Sequence, residues 1–259
     1  MKTNIYTFYL LICTSAAPLQ ADEVVVPNGL NTVEGNSSTS DPFNSSSFRF
    51  QQVFDASQFS FVGSATGRIQ SISFRIDGAS THDVSYFFGG SSVVLSTTQR
   101  SPDGLSTTFA DNRGPDAVTV WNGALSIGGV AQPGAIPQSW PFAETIPMTK
   151  PFFYVPSHGN LLVEITAGSG QPFLPGSLDA QLLQGDSVSR LYASSFSAAT
   201  GTADTLGLVT RFDVAVVPEP PTWALVATGL SAVLGSWFLK HDLLGPLAES
   251  SNSLANHFL

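Results

Sequence analysis

Residues 206–217, of sequence LGLVTRFDVAVV, carry the clearest periodic pattern in the chain. One face of this segment is apolar and is interrupted only by Thr210; its members are Leu206, Leu208, Phe212, Val214 and Val216. The other face carries Gly207, Val209, Arg211, Asp213 and Ala215. An alternation with a period of two residues is typical of a β-strand that buries one face. We therefore predict one continuous strand over this segment.

Shorter segments upstream repeat this alternation between turn signals. Their inward positions are Phe48, Phe50, Gln52 and Phe54; Ile72, Phe74 and Ile76; Val118, Val120 and Leu125; and Leu161, Val163 and Ile165. Asp77-Gly78 ends the second segment with turn chemistry. Gly89-Gly90, between residues 84–88 and 93–95, predicts a two-glycine hairpin. Together these segments predict an all-β fold, an antiparallel, jelly-roll-like β-sandwich over residues 22–217.

The composition excludes two broad classes of protein. Of the 259 residues, 11% are charged, whereas ordinary soluble domains have about 25%. The chain has 23 Gly and 17 Pro, and it offers little of the Glu, Lys, Arg and Ala that build surface helices, so a helical bundle is excluded. A formal net charge of −9 argues against nucleic acid as a partner.

The first 21 residues have the organisation of an export signal. Lys2 supplies the positive start, and residues 5–13 form an apolar run before small residues. Ala21, or alternatively Ala17, is the expected cleavage point. Because cleavage at either position removes Cys13, the single cysteine of the chain, the mature protein cannot depend on disulfide bonds for its stability.

The C-terminal part of the chain predicts a transmembrane helix over residues 223–239. This stretch is uncharged, and Trp223 and Trp237 fall near its two ends, where aromatic side chains favour the membrane interface. The prolines before it define where a helix can begin. Lys240, the basic residue next to the stretch, predicts a cytoplasmic C-terminal side. Residues before Pro218 are then expected outside the cytoplasm.

The order Pro218-Glu219-Pro220, apolar helix and basic residue resembles the PEP-CTERM sorting signal of Gram-negative bacteria. Residues 48–59 and 151–163 also resemble segments common in proteins that carry this signal. The resemblance implies an exported chain, held first in the inner membrane, processed by an exosortase-type membrane enzyme, and delivered to the cell surface or extracellular matrix. The family usually ends in a cluster of Arg, whereas this chain has Lys240 and His241 and then a tail over residues 242–259.

Carboxylates and histidines are the candidates for catalysis in the exported part. Glu144 and Glu164 are its glutamates beyond Glu34, and a glycosidase needs two carboxylates at a defined separation. Glu164 alternates outward from Val163 and Ile165, and nothing in the spacing brings the two glutamates together. His82 and His158 lie in turn-like contexts and are expected to be solvated.

Two further groups of side chains are candidates for binding. Asp111, Asn112 and Asp116 offer oxygen ligands for calcium in a turn-rich loop, with a plain surface turn as the simpler interpretation. Trp121, Trp140, Tyr86 and Tyr154 are aromatic side chains that could stack on sugar rings, with packing as the simpler interpretation. Trp121 follows a strand segment and is expected in the core, whereas Trp140, between Ser139 and Pro141, is the better candidate for an exposed platform.

These observations support one main hypothesis and two alternatives. The main hypothesis is an exported, non-enzymatic protein of the envelope or matrix, with exopolysaccharide as the ligand class to be tested. The first alternative is an exported carbohydrate-active enzyme that uses Glu144 or Glu164. The second is a structural protein that keeps its membrane anchor because sorting cleavage does not occur.

Overall fold

A computed structural model describes residues 21–130 and 141–217 of the chain. They form thirteen strands: β1 (Ala21–Val26), β2 (Ser37–Thr39), β3 (Phe48–Phe54), β4 (Thr66–Arg75), β5 (Val84–Thr98), β6 (Val118–Gly129), β7 (Phe142–Tyr154), β8 (Asn160–Pro175), β9 (Leu178–Leu182), β10 (Val188–Ala193), β11 (Thr202–Asp204), β12 (Leu206–Leu208) and β13 (Thr210–Val217). Short 3-10 turns at Asn28–Leu30, Ala56–Val62, Phe109–Asn112 and Pro156–His158 are the helical elements of this part. All strand pairings within it are antiparallel. The prediction of an all-β fold is confirmed.

Several predicted features lie outside the described residues. They are the body of the export signal, Trp140, the sorting residues Pro218, Glu219, Pro220 and Lys240, the apolar stretch with Trp223 and Trp237, and the C-terminal tail. Within the described part, no helix is both long and apolar enough to cross a membrane.

The strands form two large sheets and one small sheet. The four-stranded sheet has the order β1-β13-β4-β7, and the six-stranded sheet has the order β11-β10-β3-β8-β5-β6. The third sheet has the order β12-β9-β2. Apolar side chains from both large sheets belong to one buried cluster. Phe54 of β3 meets Phe212 of β13 edge to face, with ring centroids 4.9 Å apart. The two large sheets therefore share a core, as in a β-sandwich.

Phe43 closes one end of this core from the loop between β2 and β3. Its fully buried ring lies 5.4 Å from the ring of Phe48 and 5.7 Å from that of Phe74. The rings of Tyr86 and Phe88 lie 5.9 and 6.3 Å away. Because Phe74 belongs to the four-stranded sheet and the others to the six-stranded sheet, Phe43 ties the loop to both layers.

The predicted hairpin at Gly89-Gly90 is wrong. Both glycines lie inside β5, which continues for 15 residues from Val84 to Thr98. The pairing of β5 with β8 shifts register between Phe88 and Gly90 and again between Gly90 and Ser91. The chain therefore accommodates the two glycines as an irregularity within a strand, as in a β-bulge, and does not reverse direction there.

The predicted continuous strand over residues 206–217 is also wrong in one respect. It breaks at Val209 into β12, which pairs with β9, and β13, which pairs with β4 and β1. The backbone N–H of Val209 donates to Asp179 O over 3.0 Å, so the residue at the break is held by β9. The alternation of apolar residues in the sequence continues across the break because β12 and β13 each bury apolar side chains, although they belong to different sheets.

Candidate functional site

Glu164, one of the two predicted catalytic carboxylates, lies in a buried network of hydrogen bonds. Its Oε1 accepts from Arg49 Nε at 3.1 Å and from Arg113 Nη2 at 2.6 Å, and its Oε2 accepts from Gln51 Nε2 at 2.6 Å. The side chain points outward from the core, as expected, but is 3% exposed, since the segment around Phe109 covers it. This arrangement ties the covering segment to the sheet. The backbone of Glu144 lies in β7, and its side chain is outside the described part of the structure.

Side-chain oxygens of the predicted calcium loop accept hydrogen bonds from other groups of the protein. Asn112 is buried, and its Oδ1 accepts from the backbone N–H of Ser106 at 2.8 Å. Asp111 Oδ2 accepts from the hydroxyl of Ser106 at 3.0 Å, and Asp116 Oδ1 accepts from the N–H of Thr97 at 2.8 Å. Asp111 and Asn112 thus hold the loop together through Ser106, and Asp116 ties it to Thr97 of β5. Calcium binding by this loop stays a prediction.

The histidines are exposed as expected, and three of the four aromatic candidates for sugar stacking are packed against the core. His82 and His158 are exposed. Tyr86 and Tyr154 are fully buried, and their hydroxyls donate to Gly176 O at 2.7 Å and to Gly159 O at 2.8 Å. Burial raises the pKa of Tyr86 to about 12, with a further contribution from the charge of Asp41. Trp121 is half-buried against the core.

An acidic cluster that the sequence did not predict lies at the ends of β4 and β9. Glu34, Asp77 and Asp179 place carboxylate oxygens within 4.8 Å of one another. Their separation in the chain, across 145 positions, hides the group from any local motif search. Three carboxylates could contribute ligands to a hard cation such as calcium.

Arg75 supplies a protein cation to this acidic cluster. Its Nε and Nη2 both lie 2.6 Å from Asp179 Oδ2, and both side chains are 0% exposed. Backbone N–H groups donate to the other oxygens: Gly35 to Asp179 Oδ1 at 2.9 Å and Gly78 to Glu34 Oε2 at 2.9 Å. Burial raises the pKa of Asp179 to about 6, against the lowering effect of Arg75. The cluster thus joins three separate chain segments by charge and hydrogen bonds.

A cleft of about 370 Å³ opens between the loop that precedes β3 and the turn that joins β10 to β11. Its lining residues are Asp41, Pro42, Ser45, Tyr192, Ala193, Ser194, Thr200, Gly201 and Thr202. The cleft is therefore polar, with one aromatic ring and one carboxylate. Its volume lies in the range of about 300–1,000 Å³ that is usual for small-molecule sites.

The ring of Tyr192 packs against Arg190, which is itself fixed by a partly exposed ion pair with Asp204. The guanidinium of Arg190 lies 4.6 Å from the centre of the Tyr192 ring. Arg190 Nε and Nη2 in turn donate to the two carboxylate oxygens of Asp204 at 2.9 and 3.0 Å. One face of the Tyr192 ring is occupied by Arg190, so a ligand in the cleft would meet its edge, its hydroxyl or its other face. A ring fixed in this way loses little conformational freedom on binding.

The side-chain oxygen atoms of the cleft make no hydrogen bonds within the described structure. The carboxylate of Asp41 and the hydroxyl of Tyr192 accept or donate no hydrogen bond within it. The same holds for the hydroxyls of Ser45, Ser194, Thr200 and Thr202. Such groups can both donate to and accept from the hydroxyls of a ligand. The arrangement suits a polyhydroxylated molecule with at least one apolar face.

Sequence reasoning missed this cleft because its residues come from two polar loops. Residues 40–47 and 193–201 carry no motif that indicates a ligand-binding site. No protein-family description matches this chain, and no curated protein matches it. The geometry of the cleft is therefore the basis for a functional proposal.

Proposed function

We propose that this chain is an exported, non-enzymatic protein of the cell envelope or extracellular matrix whose β-domain binds polysaccharide. The observation that carries the proposal is the Tyr192 cleft, with its fixed aromatic ring and its hydroxyl and carboxylate oxygens that bond to nothing else in the described structure. Asp41 is the one carboxylate among the lining residues, whereas hydrolysis of a glycosidic bond ordinarily uses a pair. The cleft therefore favours binding over turnover.

The strand order supports a jelly roll as the finer description of the fold. Counting β1, β3, β4, β5, β6, β7, β8 and β13 as strands 1 to 8, one sheet has the order 1-8-3-6 and the other contains 2-7-4-5. This is the double Greek-key arrangement of jelly rolls, a class that includes lectin domains. A fold alone does not determine function, so the order adds weight to the proposal and the cleft carries it.

Export and sorting complete the proposal. The charged start and apolar run of residues 1–21 support export, and Pro218-Glu219-Pro220 before the apolar stretch 223–239 supports an inner-membrane precursor. An exosortase-type membrane enzyme is the proposed processing partner, and the cell surface or matrix is the proposed destination. No role for nucleic acid is proposed, because the chain is strongly acidic.

Binding to immobilised polysaccharides tests the proposal. The full-length chain, purified in a mild detergent, is expected to be retained on at least one of cellulose, amylose and chitin, and Tyr192→Ala should weaken that retention at least tenfold because the fixed ring is lost. The measurement is made with calcium and with a chelator, because Asp111, Asn112 and Asp116 are the candidate calcium ligands of the chain, with a plain surface turn as the simpler interpretation.

Matched variants make this result specific to the cleft. Asp41→Asn removes the carboxylate of the cleft and should weaken binding, whereas Asp22→Asn, at an exposed position of β1, should not. Release of reducing sugar from any of the polysaccharides would contradict the non-enzymatic part of the proposal. If Tyr192→Ala is retained as strongly as the unaltered chain, the cleft is not the site that binds polysaccharide.

A further inference from the structure

A second depression lies beside the Tyr192 cleft, on strands β5 and β8. It has a volume of about 360 Å³ and is lined by Ser46, Phe87, Gly89, Gly168, Ser169 and Gly170. We call it the glycine groove. Ser46 is next in the chain to Ser45 of the cleft, so the two depressions are neighbours. Phe87 is 45% exposed, and the groove is also adjoined by Phe196, whose side chain is 54% exposed.

Gly89 and Gly168 lie where the pairing of β5 with β8 shifts register, but neither close packing nor a left-handed backbone requires glycine at these two positions. A Cβ built on Gly89 would have Ser169 Oγ, 4.0 Å away, as its nearest neighbour, and one built on Gly168 would lie 3.8 Å from the Phe196 ring. Both distances are ordinary contacts or open space. Neither residue has a φ in the left-handed region that favours glycine. A side chain would therefore fit at both positions without strain.

Gly170 provides the contrast within the same groove. A Cβ at this position would lie 2.0 Å from Phe88 Cδ1, so the packing of a core side chain requires glycine there. Glycine in a strand interior often marks a β-bulge or a close approach of a ligand to the backbone. Gly89 and Gly168 lie at register shifts whose backbone would accept a side chain, and their missing side chains keep the floor of the groove open.

The lining of the glycine groove indicates an uncharged ligand with ring faces and hydroxyls. None of its six residues carries a charge. The hydroxyls of Ser46 and Ser169 make no hydrogen bond within the described structure, and an exposed phenyl ring stands at the side of the groove. Sugar rings present apolar faces to aromatic side chains and hydroxyls to polar ones. A second protein is a poorer fit, because stable interfaces use about 20–30 residues on each side.

We infer that the glycine groove is a second contact site for an uncharged glycan chain, next to the Tyr192 cleft. The inference rests on the proposed function and extends it: the open backbone at Gly89 and Gly168 receives a sugar ring beside Phe87. It also specifies the ligand class, since a groove without basic residues, in an acidic protein, does not attract acidic polysaccharides.

Filling the groove tests the inference without disturbing the fold. In the full-length chain, Gly168→Thr should weaken binding to the retaining polysaccharide among cellulose, amylose and chitin at least tenfold, while the urea midpoint stays equal or rises. Gly29→Thr is the matched control, because a Cβ at Gly29 also meets nothing within 4 Å and Gly29 lies outside the groove. Polygalacturonate, an acidic polysaccharide, should not bind.

A second pair of variants covers the case in which Gly168→Thr does not fold. Phe87→Ala should weaken binding at least fivefold, and Phe153→Ala should leave it unchanged, since Phe153 is 57% exposed and does not line the groove. The inference is overturned if the folded groove variants bind as strongly as the unaltered chain while Tyr192→Ala binds more weakly. In that case the proposed function still holds.

Three other results overturn the inference. If the unaltered chain binds none of the uncharged polysaccharides, the proposed function and the inference both fail. Preferential binding of polygalacturonate contradicts the proposed ligand class, an uncharged glycan, and so overturns the inference but not the proposed function. A dimer in light scattering that Gly168→Thr converts to a monomer would show that the groove receives a second copy of the chain.

Discussion

Asp179 shows how burial and partners together determine the behaviour of one carboxyl group. It is paired with Arg75, and both side chains are 0% exposed. Burial nevertheless dominates, and the nearby Glu34 acts in the same direction, so the pKa of Asp179 is raised from 3.8 to about 6. Burial also raises the pKa of Asp77. An ion pair removed from water need not stabilise the fold, because desolvation can exceed the attraction between the charges.

The raised pKa of Asp179 predicts a loss of stability with rising pH. Between pH 4 and 6 the folded state holds a proton that the unfolded state has released, so the free energy of unfolding decreases as the pH rises through this window. Asp179→Asn imitates the protonated form at every pH. The free energy of unfolding of both proteins is measured by urea denaturation at pH 4 and at pH 7. Between these two pH values the unaltered chain should lose stability relative to Asp179→Asn. A stability difference between the two proteins that is the same at both pH values, or that changes in the opposite direction, would contradict the prediction.

The loop before β3 shows how one side chain can determine the position of a polar element. Residues 40–47 are rich in Ser, Asn and Asp, and their single aromatic residue is Phe43. Its ring contacts both large sheets, so the loop has one preferred position over the end of the core. Asp41 and Ser45 of the Tyr192 cleft and Ser46 of the glycine groove are positioned by that anchor.

Truncation of the anchor should be costly. Phe43→Ala is expected to lower the free energy of unfolding by about 3–5 kcal/mol, because it removes a fully buried ring and leaves a cavity. Phe153→Ala makes the same chemical change at a side chain that is 57% exposed, and its effect should stay within about 0.5 kcal/mol. Urea denaturation followed by tryptophan fluorescence gives both values. Equal losses in the two variants would contradict the anchoring role.

At the scale of the whole molecule, the predicted sorting signals define which part of the chain is the mature protein. β1 pairs with β13 from Asp22 opposite Val214 to Val26 opposite Thr210. Cleavage after Ala21 and at Pro218-Glu219-Pro220 would lie outside these pairs. Processing there would leave the paired strands, and hence the core, in the mature protein.

Intact mass of the exported protein tests this organisation. We expect a mature form that lacks residues 1–21 and the apolar stretch 223–239, because the proposed exosortase-type enzyme acts at Pro218-Glu219-Pro220. Glu219→Ala is expected to prevent the second cleavage and to retain the chain in the membrane fraction, whereas Glu249→Ala, in the tail, should not. A mature form that still contains residues 223–239 would favour the alternative of an uncleaved, anchored protein.

The sequence by itself determined the all-β class and the segments of β3, β4, β5, β6, β8 and β12–β13, because the alternation of buried and exposed side chains is a local property of each segment. It did not predict the other six of the thirteen described strands. It also favoured packing over sugar stacking for Tyr86 and Tyr154, and the structure buries both. Only the tertiary structure decided that Gly89-Gly90 continues a strand and that the chain changes sheets at Val209. Both depend on which strands pair, and pairing is decided by contacts between residues far apart in the chain.

The residues of the Tyr192 cleft were brought together only by the tertiary structure. Asp41 and Tyr192 are separated by 151 positions, as are Glu34 and Asp179 by 145, and neither pair has a local motif. The burial of Glu164 could not be predicted for the same physical reason. Alternation correctly predicted that its side chain points outward from the core, but the segment that covers the side chain comes from residues near Phe109. Local periodicity states which way a side chain points, and only the packing of the complete chain decides what meets it there.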